Sequence, residues 1–272
     1  MLCTNLAWET NKIMASSFEK FRDLHYQENL LLIGNVWNVQ SALVYEQLGF
    51  DAIATSSAAV AESLGYADGG DMPFSDYLFI IERIMKSVSL PVSVDLEAGY
   101  GDTAEEIIPN ILRLTELGVV GINIEDSLVR GPERTIQDAV IFTEKLRKIT
   151  DALKSKDTEI YINVRCDAYI LGLPEPLQES KKRIRLYETA NIDGIFLPFI
   201  FHENEISELV KFTSLPLHVM CMPELPGFKI LKDLGVKRIS MGGYVYRNVY
   251  VHMEQLTKEI VEVQNFNSLF NH

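Results

Sequence analysis

The sequence predicts an α/β protein whose strands and helices close into a (β/α)8 barrel, also called a TIM barrel, followed by an extra C-terminal helix. Eight short apolar runs recur along the 272 residues, and stretches with helical spacing of apolar residues separate them. Strand–helix alternation predicts a parallel sheet, and eight units in one chain favour closure over an open doubly wound sheet. The runs are residues 30–35, 51–57, 90–99, 120–127, 159–169, 193–199, 215–221 and 236–243.

The connections between these runs carry helix and turn signals. Ile107, Ile111 and Leu114 fall on one helix face before Gly118, which is a plausible helix stop. Four segments have the form of a helix end, a tight turn and the next strand: LGFDAI, LGVVGI, ANIDGI and LGVKRI. Gly-rich linkers that would divide the chain are absent, so residues 1–272 are interpreted as one domain.

Two segments lie outside the repeat. Residues 1–17 are interpreted as an N-terminal extension, with the fold starting near Phe18. Residues 244–272 are interpreted as a C-terminal helical segment with one apolar stripe, which either covers its own barrel or contacts a neighbouring subunit. The stripe consists of Val249, Met253, Leu256, Ile260 and Val263, prolonged by Phe266, Leu269 and Phe270.

Composition narrows the class of protein. Apolar residues make up 47% of the chain, enough for a sizeable core, and the formal net charge of −13 disfavours nucleic acid and anionic membranes as partners. No apolar run approaches the roughly 18 residues of a membrane span, and the N-terminal segment lacks the features of a signal peptide. Cys3, Cys166 and Cys221 are far apart and without metal-ligand spacing, which is typical of reduced thiols. We therefore expect a soluble, cytoplasmic protein.

Polar residues alternate with apolar residues near the ends of the third, fourth and fifth predicted strands. Strand side chains two apart share a face, and the outer face of a barrel strand packs against helices. The polar sets must therefore point into the barrel, at the strand ends where barrel active sites are built. The sets are Ser93, Asp95 and Glu97, then Asn123 and Glu125, then Asn163, Arg165 and Asp167.

This crowd of acids needs positive charge. Arg165 could pair with Glu125 and leave Asp95 with water, which is the ion-pairing alternative. One arginine cannot neutralise three carboxylates, however, and the nearest other cations in the sequence lie in loops. A divalent cation solves the charge problem, and oxygen ligands without histidine or thiolate favour Mg²⁺ or Mn²⁺. We expect a metal site that uses few protein carboxylates and several waters.

The other strand ends give weaker signals. The small residues Ser56, Ser57 and Ala58 allow backbone N–H groups to approach a ligand, although small residues are common at strand ends. Asp68 lies in the turn-rich YADGGD, where most acids are merely solvated. The segment 240–243 could hold a phosphate, but a Gly-rich turn is equally expected there.

Seven motifs then occur in order along the chain: NVWNVQSA, GFDAIATSSAA, SLGYAD, VDLEAGYGD, GINIEDS, INVRCDAY and GIFLP. On these motifs the chain resembles the isocitrate lyase/phosphoenolpyruvate mutase superfamily, from about Phe18 through the C-terminal helix. The motifs are specific together, whereas any one alone is not. The resemblance implies a barrel whose last helix is commonly exchanged between subunits, which favours a homo-oligomer, either a dimer or a tetramer.

The resemblance also implies a bound Mg²⁺ and an α-oxo or α-hydroxy carboxylate substrate. By position, Asp95 matches the principal metal-binding acid, and Glu97 stands where the family usually has aspartate. Glu125 matches the glutamate of the Glu-Asp motif, and Asp68 matches the acid after Leu-Gly. These four residues would hold the ion directly or through water.

The substrate half of the site shows both matches and departures. Residues 56–58 match the segment that holds the substrate carboxylate, and Arg165 matches the arginine that meets its anionic groups. The loop after the Glu-Asp motif reads SLVRGPERTI and has neither the acid/base cysteine of the lyases nor the Lys-x-Asn pattern of the mutases. Phe199 stands where the resemblance implies a Glu or His, and Arg130 or Arg134 is the alternative source of a loop cation.

The sequence therefore predicts a Mg²⁺-dependent lyase or decarboxylase for a small 2-oxo or 2-hydroxy carboxylate, acting through an enolate. Arg165 and Glu125 are the candidate catalytic residues, and a bidentate clamp on a carboxylate is the expected role of Arg165. Two alternatives stay open. One is P–C chemistry of the phosphoenolpyruvate mutase or phosphonopyruvate hydrolase type, and the other is a non-catalytic barrel that binds carboxylates.

Overall fold

The computed structural model describes residues 17–69, 72–131 and 133–270. Residues 1–16, and with them Cys3 and nearly all of the predicted N-terminal extension, lie outside the described residues. The strands, in chain order, are β1 (Leu31–Val36), β2 (Ile53–Thr55), β3 (Val92–Asp95), β4 (Gly121–Glu125), β5 (Ser127–Arg130), β6 (Glu133–Ile136), β7 (Tyr161–Arg165), β8 (Gly194–Leu197), β9 (Leu217–Met220) and β10 (Arg238–Ser240).

Eight of these strands form a closed, all-parallel barrel in the order β1, β10, β9, β8, β7, β4, β3, β2 and back to β1. Seven of the barrel strands lie within a predicted apolar run, and β1 extends one residue beyond its run, to Val36. The structure therefore confirms the predicted (β/α)8 fold.

Helices cover the outside of the barrel. Strong end signals define them: Thr103 and Glu106 form a reciprocal capping box at the start of α5, and Gly118 takes a left-handed φ of 94° just after its end. The helices are α1 (17–24), α2 (Val39–Gln47), α3 (Ser57–Leu64), α4 (Phe74–Met85), α5 (Ala104–Glu116), α6 (Ala139–Ser155), α7 (Pro176–Tyr187), α8 (Glu203–Phe212), α9 (Phe228–Leu234) and α10 (Tyr244–Val263).

The barrel strands face two environments, as the alternation predicts. Val94, Ile122 and Val164 point outward and are fully buried against the helix layer. At the amino ends of the strands, Phe18 and Phe21 of α1 pack with the core of the lower barrel, which also buries Arg238 of β10 and His25. The acidic residues of the predicted site lie instead at the carboxyl ends of the strands.

Strand register brings the polar residues of three neighbouring strands to the same heights. Asp95 is the Cα partner of Asn123, and Asn123 is the partner of Asn163. One layer higher, Glu125 is the partner of Arg165. The parallel register thus places an acid and a guanidinium side by side at the barrel mouth.

One element was not predicted. Strands β5 and β6 form an antiparallel hairpin over residues 127–136, in the segment interpreted from sequence as a loop. Gly131 takes a left-handed φ of 59° in its two-residue connection. The hairpin begins two residues after the end of β4.

The C-terminal helix α10 leaves its apolar stripe uncovered. Tyr246 is its one buried residue, and Val249, Met253 and Val263 are about half exposed. The stripe therefore does not cover the barrel of its own chain. That it contacts a second copy stays a prediction.

The described residues include two cysteines and no helix that could cross a membrane. Cys166 is buried and Cys221 half-buried, and both are free thiols. None of the described helices combines the length and the apolar character that a membrane crossing requires.

Candidate functional site

A cavity of about 280 Å³ opens at the carboxyl ends of the barrel strands. This volume lies at the small end of the range for ligand pockets, so the cavity suits a ligand of few atoms. The structure brings all of the sequence-predicted site residues to its lining: Ser56, Ser57, Ala58, Asp68, Asp95, Glu97, Glu125 and Arg165.

The first turn of α3 forms one side of the cavity. Ser56 caps the helix: its backbone N–H donates to Val36 O (2.9 Å), and its side chain accepts from Ala59 N (3.4 Å). Ser57 and Ala58 occupy the first two helical positions, where backbone N–H groups have no partner within the helix. These groups lie at the positive end of the helix dipole, so this side of the cavity favours an anion such as a carboxylate.

Asp95 lies at the end of β3 and is held by groups from two neighbouring elements. Its Oδ2 accepts a hydrogen bond from Ser57 Oγ (2.8 Å), and its backbone N–H donates to Thr55 Oγ1 (3.1 Å). The other carboxylate oxygen, Oδ1, is buried and has no hydrogen-bond partner among the described residues. Buried polar atoms are nearly always paired. This oxygen therefore has the properties of a ligand position for a cation.

Glu97 reaches the same cavity from a strained turn. Strand β3 ends at Asp95, and Glu97 takes a left-handed φ of 52°, which is uncommon for a non-glycine residue. Its Oε1 accepts a hydrogen bond from Tyr100 Oη (3.0 Å). Burial, and then the nearby carboxylates Asp95 and Glu125, raise the pKa of Glu97 to about 8.

This raised pKa predicts how stability depends on pH when metal is absent. Unfolded Glu97 loses its proton near its ordinary pKa of 4.5, whereas folded Glu97 keeps it up to about pH 8. Between these values the folded state binds more protons, so Glu97 lowers the free energy of unfolding as the pH rises, by up to about 1.4 kcal/mol per pH unit. We expect Glu97→Gln to make this fall shallower. Urea unfolding of both proteins at pH 5.5, 6.5 and 7.5 with EDTA measures it, and parallel curves would refute it.

A four-charge cluster includes Glu125, one of the carboxylates that act on Glu97. It consists of Glu125, Asp167, Arg134 and Arg165, all mostly buried. Arg165 donates from Nε to Asp167 (2.6 Å), and its Nη1 lies 2.9 Å from Glu125 Oε2 without hydrogen-bonding geometry. Arg134 Nη1 contacts the other oxygen of Glu125 (2.5 Å) and Asp167 Oδ2 (3.1 Å). Two guanidinium groups and two carboxylates therefore balance in charge.

This cluster changes the charge argument made from the sequence. The ion-pairing alternative holds for Glu125, because both of its oxygens face arginines. The second cation is Arg134. It lies on β6 of the hairpin, in the segment that the sequence predicted to be a loop, and its side chain lines the cavity. Burial raises the pKa of Glu125, and the positive charges of Arg165 and Arg134 oppose that rise. Asp95 and Glu97 remain without a cationic partner among the described residues.

The oxygen ligands of the cavity fit a magnesium ion that is held by only one or two protein carboxylates and keeps several waters. Within residues 17–69, 72–131 and 133–270, no three His, Cys, Asp or Glu side chains lie close enough to hold a metal ion by themselves. Mg²⁺ commonly uses one or two protein carboxylates and keeps several waters. Asp95, with its unpaired Oδ1, and Glu97 match that pattern. Asp68 is exposed at the rim of the cavity, and we expect Glu125 to act through water.

For residues 240–243 the sequence left open a phosphate position or a Gly-rich turn. Two backbone N–H groups of this segment make hydrogen bonds within the protein. Asn35 Oδ1 accepts hydrogen bonds from the backbone N–H groups of Met241 (2.7 Å) and Gly242 (2.9 Å). Gly242 takes a left-handed φ of 55° there. The structure thus shows the Gly-rich turn, while Ser240, Gly242 and Gly243 also line the cavity, so a phosphate at this segment stays a prediction.

Arg247, Phe199 and Arg134 are among the residues that line the cavity beyond the predicted set. Arg247, in the first turn of α10, has its nearest acid at 3.9 Å, in Glu62. Phe199 takes a left-handed φ of 68° in the apolar wall after β8. The sequence suggested Arg134 only as one of two possible loop cations. The symmetric SLVR and ERTI segments around a Gly-Pro pair are the signal that could have predicted its hairpin.

Comparison with known proteins places this chain in a family. The family model for phosphoenolpyruvate phosphomutase matches residues 21–261. An uncharacterised protein of Mycobacterium tuberculosis (strain H37Rv) is 33% identical over 228 residues, 83% of each chain. Oxaloacetate decarboxylase 1 of Pseudomonas fluorescens (strain Pf0-1) is 30% identical over 229 residues, which are 82% of this chain and 77% of that one.

Solved structures agree with these relatives. A Burkholderia cenocepacia J2315 protein provisionally assigned as a phosphonomutase has a TM-score of 0.83 at 33% identity, covering 89% of this chain and 99% of its own. A phosphonopyruvate hydrolase, solved with oxalate and Mg²⁺, has a TM-score of 0.80 at 23% identity and covers 92% of this chain and 88% of its own, which shows the shared fold. With a family model that spans most of the chain and a solved structure of matching fold at 33% identity, this protein belongs to the phosphoenolpyruvate phosphomutase family.

Proposed function

We propose that this protein is a Mg²⁺-dependent lyase of the decarboxylase type, which acts on a small 2-oxo or 2-hydroxy carboxylate through an enolate. The observation that carries the proposal is the buried, unpaired Oδ1 of Asp95, which lies between an anion-binding helix end and a guanidinium cluster. The relatives named oxaloacetate decarboxylase, at about 30% identity over most of the chain, support it.

Each part of the cavity has a role in this chemistry. Asp95, Glu97 and, through water, Glu125 and Asp68 would hold Mg²⁺, which supplies positive charge for the developing enolate oxygen. The N–H groups of Ser57 and Ala58 bind the substrate carboxylate. The hydroxyl of Ser57 fixes the orientation of Asp95 by its hydrogen bond.

The remaining walls supply charge and exclude water. Arg165 faces the substrate beside Glu125 and contributes fixed positive charge, although its bonds to Asp167 limit the bidentate clamp that the sequence predicted. Pro198, Phe199 and Met220 form an apolar wall. An apolar wall lowers the local dielectric constant and so strengthens the electrostatic interactions within the cavity.

Decarboxylation is a reaction that this site can support without the acid/base cysteine of the lyases. In oxaloacetate the leaving carboxylate is on C3, next to the C2 carbonyl: the C3–C4 bond breaks, C4 departs as CO2, and the electron pair moves into the C2–C3 enolate, which then takes up a proton to give pyruvate. No base is needed to start this step. The loop sequence SLVRGPERTI, which has no cysteine, is therefore compatible with decarboxylation.

A turnover assay on a substrate panel tests the proposal. The purified protein with Mg²⁺ is incubated with oxaloacetate, 2-hydroxy di- and tricarboxylates, phosphoenolpyruvate and phosphonopyruvate. We expect Mg²⁺-dependent release of CO2 or cleavage of a C–C bond, inhibited by oxalate as an enolate mimic. Turnover of the phosphorus compounds alone, followed by phosphorus NMR, would establish the P–C alternative instead. Binding of oxalate with Mg²⁺ but no turnover would establish a non-catalytic carboxylate-binding barrel.

A further inference from the structure

The hairpin of β5 and β6 carries one guanidinium into the cavity. Arg134 lines the cavity with a side chain that is 21% exposed. Among the described residues, every hydrogen bond of the Arg134 side chain is donated by Nη1. The acceptors are Glu125 Oε1, Ser127 Oγ (2.8 Å) and Asp167 Oδ2. In the described part of the chain, no hydrogen bond reaches Nε or Nη2 of Arg134. One edge of this guanidinium is therefore anchored, and the other keeps donors for a ligand.

Arg165 differs from Arg134 in this respect. Its Nε and Nη2 both donate to Asp167, and its Nη1 lies against Glu125. Its side chain is also less exposed, at 12%. Of the two arginines in the cluster, Arg134 has the larger set of donors available to a substrate.

The order of strands sets where these donors lie. The α3 N-terminus follows β2, Asp95 ends β3, and the hairpin with Arg134 follows β4, so the acids stand between two anion-binding sides. A carboxylate at Ser57 and Ala58 and a second one at Arg134 would flank a cation held by Asp95. A molecule with one carboxylate can use only one of these sides.

We propose that Arg134 binds the second carboxylate of the substrate and so selects dicarboxylates over monocarboxylates. This inference rests on the proposed function, since it assigns the substrate class of the same cavity. A guanidinium binds a carboxylate through two parallel N–H donors, which gives both charge and geometry. The small cavity limits the dicarboxylate to a few carbons.

The competing explanation is that Arg134 is purely structural and only neutralises Glu125 and Asp167. Arg134→Lys separates the two roles. The lysine ammonium keeps the positive charge and has three N–H donors for the three acceptors that Nη1 now contacts, but it lacks the free guanidinium edge. Arg130→Met is the matched control, because Arg130 lies on the same hairpin, is 76% exposed and has its carboxylate contact with Asp102 at 4.0 Å.

Titration calorimetry with Mg²⁺ measures the affinities for 3,3-difluorooxaloacetate, a dicarboxylate, and for pyruvate, a monocarboxylate. In the unmodified protein we expect the dicarboxylate to bind at least about 10-fold more tightly, which is the usual scale of one charge-assisted hydrogen-bonded pair. Arg134→Lys should weaken the dicarboxylate about 10-fold and change pyruvate less than about twofold. Arg130→Met should change neither ligand.

The outcomes distinguish this inference from the proposed function. If the unmodified protein fails to bind oxalate with Mg²⁺, the proposed function falls and this inference falls with it. If oxalate binds but the unmodified protein does not prefer the dicarboxylate, the assignment of Arg134 alone is overturned. It is likewise overturned if Arg134→Lys leaves both affinities unchanged or lowers both equally. Thermal melting of the variant confirms that the comparison is made on folded protein.

Discussion

Asp95→Ala is expected to abolish Mg²⁺-dependent turnover of oxaloacetate-like substrates, with a loss of at least about 1,000-fold, equivalent to about 4 kcal/mol of transition-state stabilisation. Asp95 carries the unpaired buried oxygen of the cavity and lies between Ser57 and Glu97. A metal ion at a developing enolate contributes several kcal/mol, and that contribution depends on its protein ligands. Steady-state turnover with saturating Mg²⁺ measures the loss.

The fold should survive this change. The carboxylate of Asp95 is one of the charges that raise the pKa of Glu97, so its removal relieves repulsion between two buried acids. We therefore expect Mg²⁺ to raise the melting temperature of the unmodified protein and to have no such effect on Asp95→Ala. Asp102→Asn is the matched control, because Asp102 follows the same segment and is 79% exposed at its side chain. Full turnover in Asp95→Ala would remove the proposed function.

The barrel could be predicted from the sequence because its signal is local and repeated. In β3, β4 and β7 the two-residue period separates outward aliphatic residues, such as Val94 and Ile122, from inward polar ones, such as Asp95 and Asn123. Parallel strands in one barrel point their carboxyl ends the same way, so inward polar residues at those ends must meet. The convergence of Asp95, Glu125 and Arg165 in one cavity follows from these two facts.

The pairing of charges could not be predicted in the same way. Strand alternation predicted that Glu125 and Arg165 lie together at the barrel mouth. It could not predict the contact of Arg134 with Glu125, because that contact depends on the β5–β6 hairpin, which is not part of the strand–helix repeat. Alternation also failed at Glu97, because the strand ends at Asp95 and a left-handed turn, rather than the pleat, brings that side chain to the cavity. Each failure concerns a loop whose conformation depends on its contacts with the barrel.

Asp167 is the residue whose loss we expect to cost the most stability. Its side chain is fully buried and accepts hydrogen bonds from Arg165 Nε (2.6 Å), Ser127 Oγ (2.6 Å) and Arg134 Nη1 (3.1 Å). Removing one partner of a buried ion pair leaves an uncompensated buried charge, which typically costs about 3–5 kcal/mol. We expect Asp167→Ala to lower the free energy of unfolding by about that amount, measured by urea unfolding at pH 7.

Asp151→Ala, at an exposed position on α6, is the control and should leave unfolding unchanged. Asp167→Asn should lie between the two, since an amide oxygen still accepts a hydrogen bond but carries no charge. The result also bears on the metal site. If Asp167→Ala proved as stable as the control, the four-charge cluster would not hold Arg134 and Arg165 in place. Glu125 would then be available to a metal ion directly, and the division of this cavity into a metal side and an arginine side would have to be abandoned.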